Sequence, residues 1–299
     1  MQVIDMETYL PGPGIDPPHP GEEQPGPPSP DRLPPPPDYG FGHYDTIFRQ
    51  PGPEEEVSPT MSTAERADEL VRLMDRAGVV KGLLATSRNA LTVEACRRHP
   101  DRLIGICHLS PHDGMRAVRE LERLVKEDNI RGISAASLYD MVPADDRRYY
   151  PLYAKCVELG IPVRIYTAMT YASDRPYDLG HPRHLDQVAM DFPELTIIAG
   201  LAGWPWVNDM VGLLRRHGNL YCDTAAHRPR HFATPGSGWE QFLQFGNTLL
   251  QDKIMVGLSW ALLGMSMEEV IQEYLSLPLK DSVKEKWLYG NAARVLHLG

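Results

Sequence analysis

The chain has 299 residues, 42% of them apolar and 23% charged, with a formal net charge of -10. That length suits one large domain with a full core, and the balance of residues is that of a soluble globular protein. An acidic surface argues against nucleic acid and anionic membrane as partners, and no apolar run reaches the ~18 residues a membrane span needs.

The opening MQVIDMETYL has neither a basic region nor a long apolar stretch. No signal peptide is therefore expected, and the cytoplasm is the expected location. Residues 2–8 read as a first strand. From Leu10 to Thr60 the composition changes: 16 of the 28 prolines fall there, with nine acidic residues against Arg32 and Arg49. Proline lacks an amide donor and fixes φ, so this stretch is neither sheet nor long helix. It reads as an acidic linker or as an ordered lid. The aromatic run Tyr39-Gly40-Phe41-Gly42-His43-Tyr44 favours the lid, with His43 and Tyr44 as ligand-facing groups.

Ser62 with Glu65 forms a capping box that opens a helix to Arg76, stopped at Gly78. Strands follow at 79–85, 103–108, 130–134, 161–167, 195–199, 219–223 and 253–258, each separated by a helical pattern. The helices are expected at 89–98, 113–127, 149–159, 184–191, 206–217, 239–249 and 267–275, with a last one over 282–296. Short apolar strands alternating with helices are the pattern of parallel strands buried on both faces. Eight such units in a single domain over 1–299, with the 10–60 insertion after strand 1, predict a (β/α)8 TIM barrel. A doubly wound open sheet is the alternative; no glycine-rich phosphate loop follows strand 1 to support it. The cysteines Cys96, Cys107, Cys156 and Cys222 form no C-x-x-C pair and read as reduced, buried thiols.

Several stretches resemble the second amidohydrolase family, the group around aminocarboxymuconate-semialdehyde decarboxylase. They include Asp145-Asp146-Arg147-Arg148-Tyr149-Tyr150-Pro151-Leu152-Tyr153, Ala202-Gly203-Trp204-Pro205-Trp206, Asn219-Leu220-Tyr221-Cys222-Asp223 and Gly290-Asn291-Ala292-Ala293-Arg294. The resemblance implies an amidohydrolase-type barrel with a Zn²⁺ or Mn²⁺ site at the C-terminal ends of its strands. It also implies an Ile-Asp-x-His-x-His ligand motif on strand 1, a His ending strand 5, a His after strand 6 and an Asp ending strand 8. This chain keeps Asp5 but has Glu7 and Tyr9 at the strand-1 histidines, Tyr166 on strand 5, Leu201 after strand 6 and Ser259 on strand 8. Leucine has no lone pair, tyrosine is protonated near neutrality and serine is a weak neutral ligand. No metal and no other cofactor is therefore expected, unless a relocated site uses His181, His184, His227 or Asp223.

Alternation along a strand puts Arg164 on the same face as Tyr166, one layer deeper, and puts Asp5 and Glu7 together on one face. A buried guanidinium needs a carboxylate, so Arg164 is expected to pair with Asp5 or Glu7. That pair either fills the space left by the cation or offers an oriented cation to a substrate. His108, ending strand 3, and His227, after strand 7, are acid/base candidates. Tyr9, Ser137, Tyr139, Tyr166, Trp204, Ser259 and Trp260 complete the expected mouth, with the tryptophans as walls for an aromatic ligand. The leading expectation is a metal-independent enzyme acting by acid/base chemistry on a small aromatic or carboxylate-bearing molecule, as a lyase, cyclase/dehydratase or hydrolase. The alternative is a non-catalytic subunit or binding protein, self-associating or paired with a metal-bearing paralogue. A polar pocket would favour the enzyme, and a pocket plugged by Tyr9, Tyr166 and Leu201 would favour the alternative.

Overall fold

The computed structural model describes residues 1–12 and 61–298. The expected lid, with His43 and Tyr44, lies outside the described residues.

Nine strands are found among the described residues: β1 Val3–Thr8, β2 Val79–Leu84, β3 Leu103–Gly105, β4 Cys107–His108, β5 Ile133–Ala135, β6 Val163–Tyr166, β7 Ile197–Gly200, β8 Leu220–Asp223 and β9 Ile254–Met255. All their pairings are parallel, in the orders β1-β2-β3 and β4-β5-β6-β7-β8-β9. The two sheets meet on one path of chain. Ile106 N–H bonds the Leu84 carbonyl at 3.0 Å, and Arg131 N–H bonds Gly105 at 2.8 Å. Thus β3 and β4 are the single third strand expected from sequence, interrupted at Ile106. At the other edge, Met6 N–H bonds the Val256 carbonyl at 2.9 Å, and Ser259 N–H bonds Glu7 at 3.3 Å. These bonds tie the stretch after β9 back to β1.

The helices are α1 Thr63–Ala77, α2 Asn89–Arg98, α3 Met115–Glu127, α4 Ser137–Asp140, α5 Tyr150–Leu159, α6 Arg183–Asp191, α7 Val207–Arg216, α8 Glu240–Gly246, α9 Trp260–Leu263, α10 Met267–Leu275, α11 Asp281–Glu285 and α12 Asn291–Val295. The capping box is formed: Ser62 N–H donates to Glu65 Oε2 at 2.8 Å, and Glu65 N–H donates to Ser62 Oγ at 3.3 Å. Gly78 ends α1 with φ 73°, a left-handed conformation open to glycine. The expected helix over 282–296 contains a π turn at Lys286–Gly290. The short helices α4 and α9 were not expected; each is a single turn at the exit of a strand, too short for an apolar period to register.

Alternation sorts β6 cleanly. Val163 and Ile165 join the large core shared with the helices, while Arg164 and Tyr166 face inward. Ile198, the register partner of Arg164, belongs to an inner apolar cluster with Ile4, Met6, Leu83, Ile104 and Met255, against which Ala292 and Val295 of α12 pack. On β1 strict alternation fails. The pairing with β2 shifts register between Asp5 and Thr8, the mark of a bulge. Ile4 and Met6 are inside, yet Glu7 still reaches the interior charge cluster. Asp5 does not share its partner: it turns to the backbone beside β9.

Candidate active site

Arg164 sits between two acids from two other strands. Arg164 Nη2 donates to Glu7 Oε2 in a short contact. Its Nε donates to Asp223 Oδ2 at 2.6 Å, and Nη2 also donates to Asp223 Oδ1 at 3.1 Å. Neither carboxylate uses Nη1. The Arg164 side chain is 13% exposed, Glu7 19% and Asp223 not at all. Burial alone would pull the guanidinium pKa down, but Asp223 and Glu7 raise it further, so the group stays charged. Tyr9 Oη donates to Glu7 Oε1 in a short bond, which makes a chain Tyr9–Glu7–Arg164–Asp223. Gly200 explains how the guanidinium fits: a Cβ there would stand 3.1 Å from Arg164 Cζ and Nη2, so a side chain on β7 would crowd the pair.

Sequence reasoning expected Asp5 or Glu7 as the partner. Glu7 is one partner, Asp223 is the other, and Asp5 is not one. Instead Asp5 Oδ1 accepts from Leu258 N–H at 2.7 Å and Glu7 N–H at 3.0 Å, and its side chain is fully buried. Burial raises its pKa to about 8, over the opposing effect of those two amide donors and with help from the Glu7 and Asp223 charges. At neutral pH Asp5 is therefore a neutral acid whose Oδ1 links β1 to the backbone after β9.

Asp223 does more than balance charge. Its Oδ1 also accepts from Leu201 N–H and Ala225 N–H, each at 3.1 Å. Those loops carry left-handed non-glycine residues: Leu201 (φ 65°), Ala202 (φ 49°) and Ala226 (φ 64°), with Ser259 (φ 45°) on the next strand exit. Such conformations persist where surrounding bonds over-determine them, and they gather at functional sites. Ser259 is part of this scaffolding. It is fully buried, and its Oγ accepts the Ala226 N–H at 2.8 Å, so its oxygen holds the loop after β8. The sequence signal for Asp223 was its place on β8, two residues from Tyr221 on the inward face.

The mouth above this cluster is apolar. Leu201, Ala168, Ala226 and Leu262 form a buried cluster with the half-buried Tyr9 and Tyr166 packed against it. Tyr166 Oη donates to the Met169 carbonyl at 2.7 Å. Trp204 lies parallel to Tyr171 at 6.1 Å between centroids, and the His227 ring stands between Trp204 at 6.0 Å and Trp239 at 5.1 Å. His227 bonds the Leu201 backbone, and burial draws its pKa down to about 4 despite that bond and the charge of Asp223. Its Nε2 is buried with no hydrogen-bond partner among the described residues. Trp260 is buried at the start of α9.

His108 occupies a separate network. Its Nδ1 lies 3.1 Å from the Ser134 carbonyl and its Nε2 3.4 Å from Asp140 Oδ1, and Asp140 also accepts from Tyr149 Oη at 2.6 Å. Burial pulls the His108 pKa down, but Asp140 and the Ser134 carbonyl outweigh it and leave it raised. Both ring nitrogens face protein acceptors, so His108 is engaged as a donor on both sides. Ser137 and the half-buried Tyr139 share α4 with Asp140. His181 and His184 do not converge on a common centre: His181 faces Asp209 and Trp206, and His184 faces Asp145.

A parallel α/β fold with a charged cluster drawn from β1, β6 and β8, one layer beneath Tyr166 at the C-terminal end of β6, is that of a TIM-barrel protein, which builds its site toward this end. The amidohydrolase family model matches residues 42–298, and the chain belongs to that family. Among curated proteins none matches the sequence. Among solved structures, a TIM-barrel protein of uncharacterised role from Bordetella bronchiseptica is 25% identical, with TM-score 0.73 over 99% of both chains. A 4-oxalomesaconate hydratase from Rhodopseudomonas palustris is 18% identical, with TM-score 0.62 over 99% of this chain and 96% of its own. A manganese-containing 5-carboxyvanillate decarboxylase from Novosphingobium aromaticivorans is 18% identical, with TM-score 0.60 over 81% and 85%.

The residues at the positions expected to hold a metal do not fit one. Glu7 is held by Arg164 and Tyr9, Tyr166 donates to a carbonyl, Leu201 packs in the apolar cluster and Ser259 holds an amide. A divalent cation would have to displace the guanidinium to reach either carboxylate, and like charges would oppose its approach. Among the described residues no group of three or more His, Cys, Asp and Glu side chains is placed to hold a metal ion.

Proposed function

We propose that this chain is a metal-independent enzyme of the amidohydrolase family, acting by acid/base chemistry on a small aromatic or carboxylate-bearing molecule as a lyase, hydratase/dehydratase or hydrolase. The observation that carries the reading is the Arg164 bridge between Glu7 and Asp223, partly exposed beneath an apolar mouth. Arg164 Nη1 supplies fixed N–H donors for an oxygen on which negative charge develops, and a donor held in place beforehand acts without reorganisation. Glu7 and the Tyr9 hydroxyl bonded to it form the proton-handling pair. Two carboxylates face one guanidinium, so the cluster's net charge is negative. Stabilisation of an oxygen that becomes anionic during reaction then comes from the local Nη1 donors and not from the cluster's net charge. The hydratase and decarboxylase activities of the structural neighbours agree with a substrate of this kind.

A second reading has its own observation. Tyr9, Tyr166 and Leu201, which stand where three ligands are expected, pack together with Ala168, Ala226 and Leu262, and a filled mouth suits a non-catalytic subunit. Metal-stripped protein screened against hydroxy- and carboxy-substituted aromatics separates the two. The enzyme reading expects turnover without added metal, lost in Glu7→Gln and Arg164→Met. No turnover by either metal-free or metal-supplemented protein favours the second reading, and turnover only with added metal refutes metal independence.

A further inference from the structure

Among the buried polar atoms of this site with no partner among the described residues is Nε2 of His227. A buried acceptor without a partner is uncommon, because losing its hydrogen bond to water is not repaid. Here the ring bonds the Leu201 backbone through one nitrogen and packs beside Trp204 and Trp239. With one nitrogen committed to the Leu201 carbonyl as a donor, Nε2 is the lone-pair nitrogen of a neutral imidazole. Burial keeps it so at physiological pH. Its neighbours place it in the mouth: Ala226 precedes it and Leu201 binds it, and both belong to the apolar cluster with Tyr9 and Tyr166. Leu201 N–H is in turn bound to Asp223, which holds Arg164. One turn of backbone therefore connects the donor on Arg164 to the acceptor on His227.

We propose that His227 is a specificity-determining residue whose Nε2 accepts a hydrogen bond from a hydroxyl on the ligand's ring, so that the site takes hydroxylated aromatics over their O-methyl or unsubstituted counterparts. The flanking indole of Trp204 and its parallel neighbour Tyr171 supply aromatic faces for the ring. A site built around an acceptor discriminates against analogues lacking the donor, because the buried acceptor is then left unpaired. The inference rests on the mouth being a ligand site, as proposed above, but not on Arg164 taking part in chemistry.

Neutral probes keep the two readings apart. Phenol and anisole have nearly the same shape and neither carries a charge for Arg164. Their binding to the full chain is measured by calorimetry on wild type, His227→Phe and Arg164→Met, with the His227 nitrogens followed by 15N NMR. The expected result is phenol binding about threefold to tenfold tighter than anisole to wild type. Phenol should shift Nε2 and leave the Leu201-bonded nitrogen in place, and the preference should vanish in His227→Phe but persist in a folded Arg164→Met protein. His227→Gln, which keeps an acceptor, should retain part of it. Equal affinities, no phenol binding up to its solubility limit, an unmoved Nε2 signal, or a preference that survives in His227→Phe would each overturn the proposal. A persisting preference alongside unchanged turnover in Arg164→Met would instead remove the Arg164 mechanism and leave this inference standing.

Discussion

Arg164 and Asp223 meet side by side, Nε to Oδ2 at 2.6 Å and Nη2 to Oδ1 at 3.1 Å, with Asp223 wholly buried and Glu7 closing on Nη2 from β1. A paired contact of this geometry is the strong form of a charge-assisted hydrogen bond. Removing one partner of a buried pair leaves an uncompensated charge and costs about 3–5 kcal/mol. Arg164→Met should therefore lower the urea midpoint far more than Arg116→Met, whose partner Asp113 sits on the surface. The triple variant Arg164→Met, Glu7→Gln, Asp223→Asn should recover much of the loss. Equal midpoints for the two single variants would show that the buried bridge contributes nothing to stability.

Gly200 offers a subtler probe of the same bridge. Its missing Cβ leaves room for the guanidinium at 3.1 Å, and the backbone there is ordinary extended chain with φ -70°. Gly200→Ala should consequently disturb Arg164 without straining β7. The expected outcome is a loss of turnover with the thermal transition nearly intact. Wild-type turnover in Gly200→Ala would mean that the position of Arg164 is not critical.

Asp5 gives a pH signature of definite sign. Its carboxyl titrates near 8 when folded and near 3.9 when unfolded. Between these values the folded chain keeps a proton that the unfolded chain has released. Its contribution therefore weakens stability progressively as pH rises through that window, and the effect levels off above it. Asp5→Asn keeps the acceptor for Leu258 and Glu7 but cannot titrate. Urea titrations from about pH 5 to 9 should show the variant with a flatter decline than wild type across that range, and parallel curves would contradict the neutral Asp5.

His227 acts in the opposite direction. Folding depresses its pKa to about 4, against about 6.5 in the unfolded chain. Its contribution to stability is complete above 6.5 and is lost as pH falls toward 4. At about pH 5.5 a free imidazole is largely charged, but the His227 15N signals should still be those of a neutral ring. His108, whose pKa is raised beside Asp140, should remain charged at a pH where His227 is long neutral. Asp140→Asn should bring the His108 titration down and leave that of His227 in place. A common midpoint for the two histidines would refute both assignments.

The legible part of this molecule followed from local rules. The alternation of short apolar strands with helices gave the barrel, and Ser62, Glu65 and Gly78 gave the limits of α1. Arg164 was legible as a buried cation because it lies two residues before Tyr166 on an otherwise apolar strand. Its second partner was not, since Asp223 comes from β8, and only the order β6-β7-β8 within the sheet brings the two together. Asp5 failed for a different reason: the irregularity in β1 between Asp5 and Thr8 breaks the two-residue period that placed it beside Glu7. Asp140 was invisible as the partner of His108 because α4 is a single turn, with no apolar period to announce it. The bond from Ala226 N–H to Ser259 Oγ was not legible, because it depends on two left-handed residues that sequence does not reveal.

We propose that the Arg164 guanidinium stands where the family's metal is expected. The most direct test is elemental analysis of protein expressed with zinc and manganese in excess and then desalted, comparing wild type with Arg164→Ala. Far less than one transition metal per wild-type chain is expected, with any gain in metal confined to the variant, where Glu7 and Asp223 are released. About one zinc or manganese per wild-type chain, removable by a chelator with loss of stability, would contradict it.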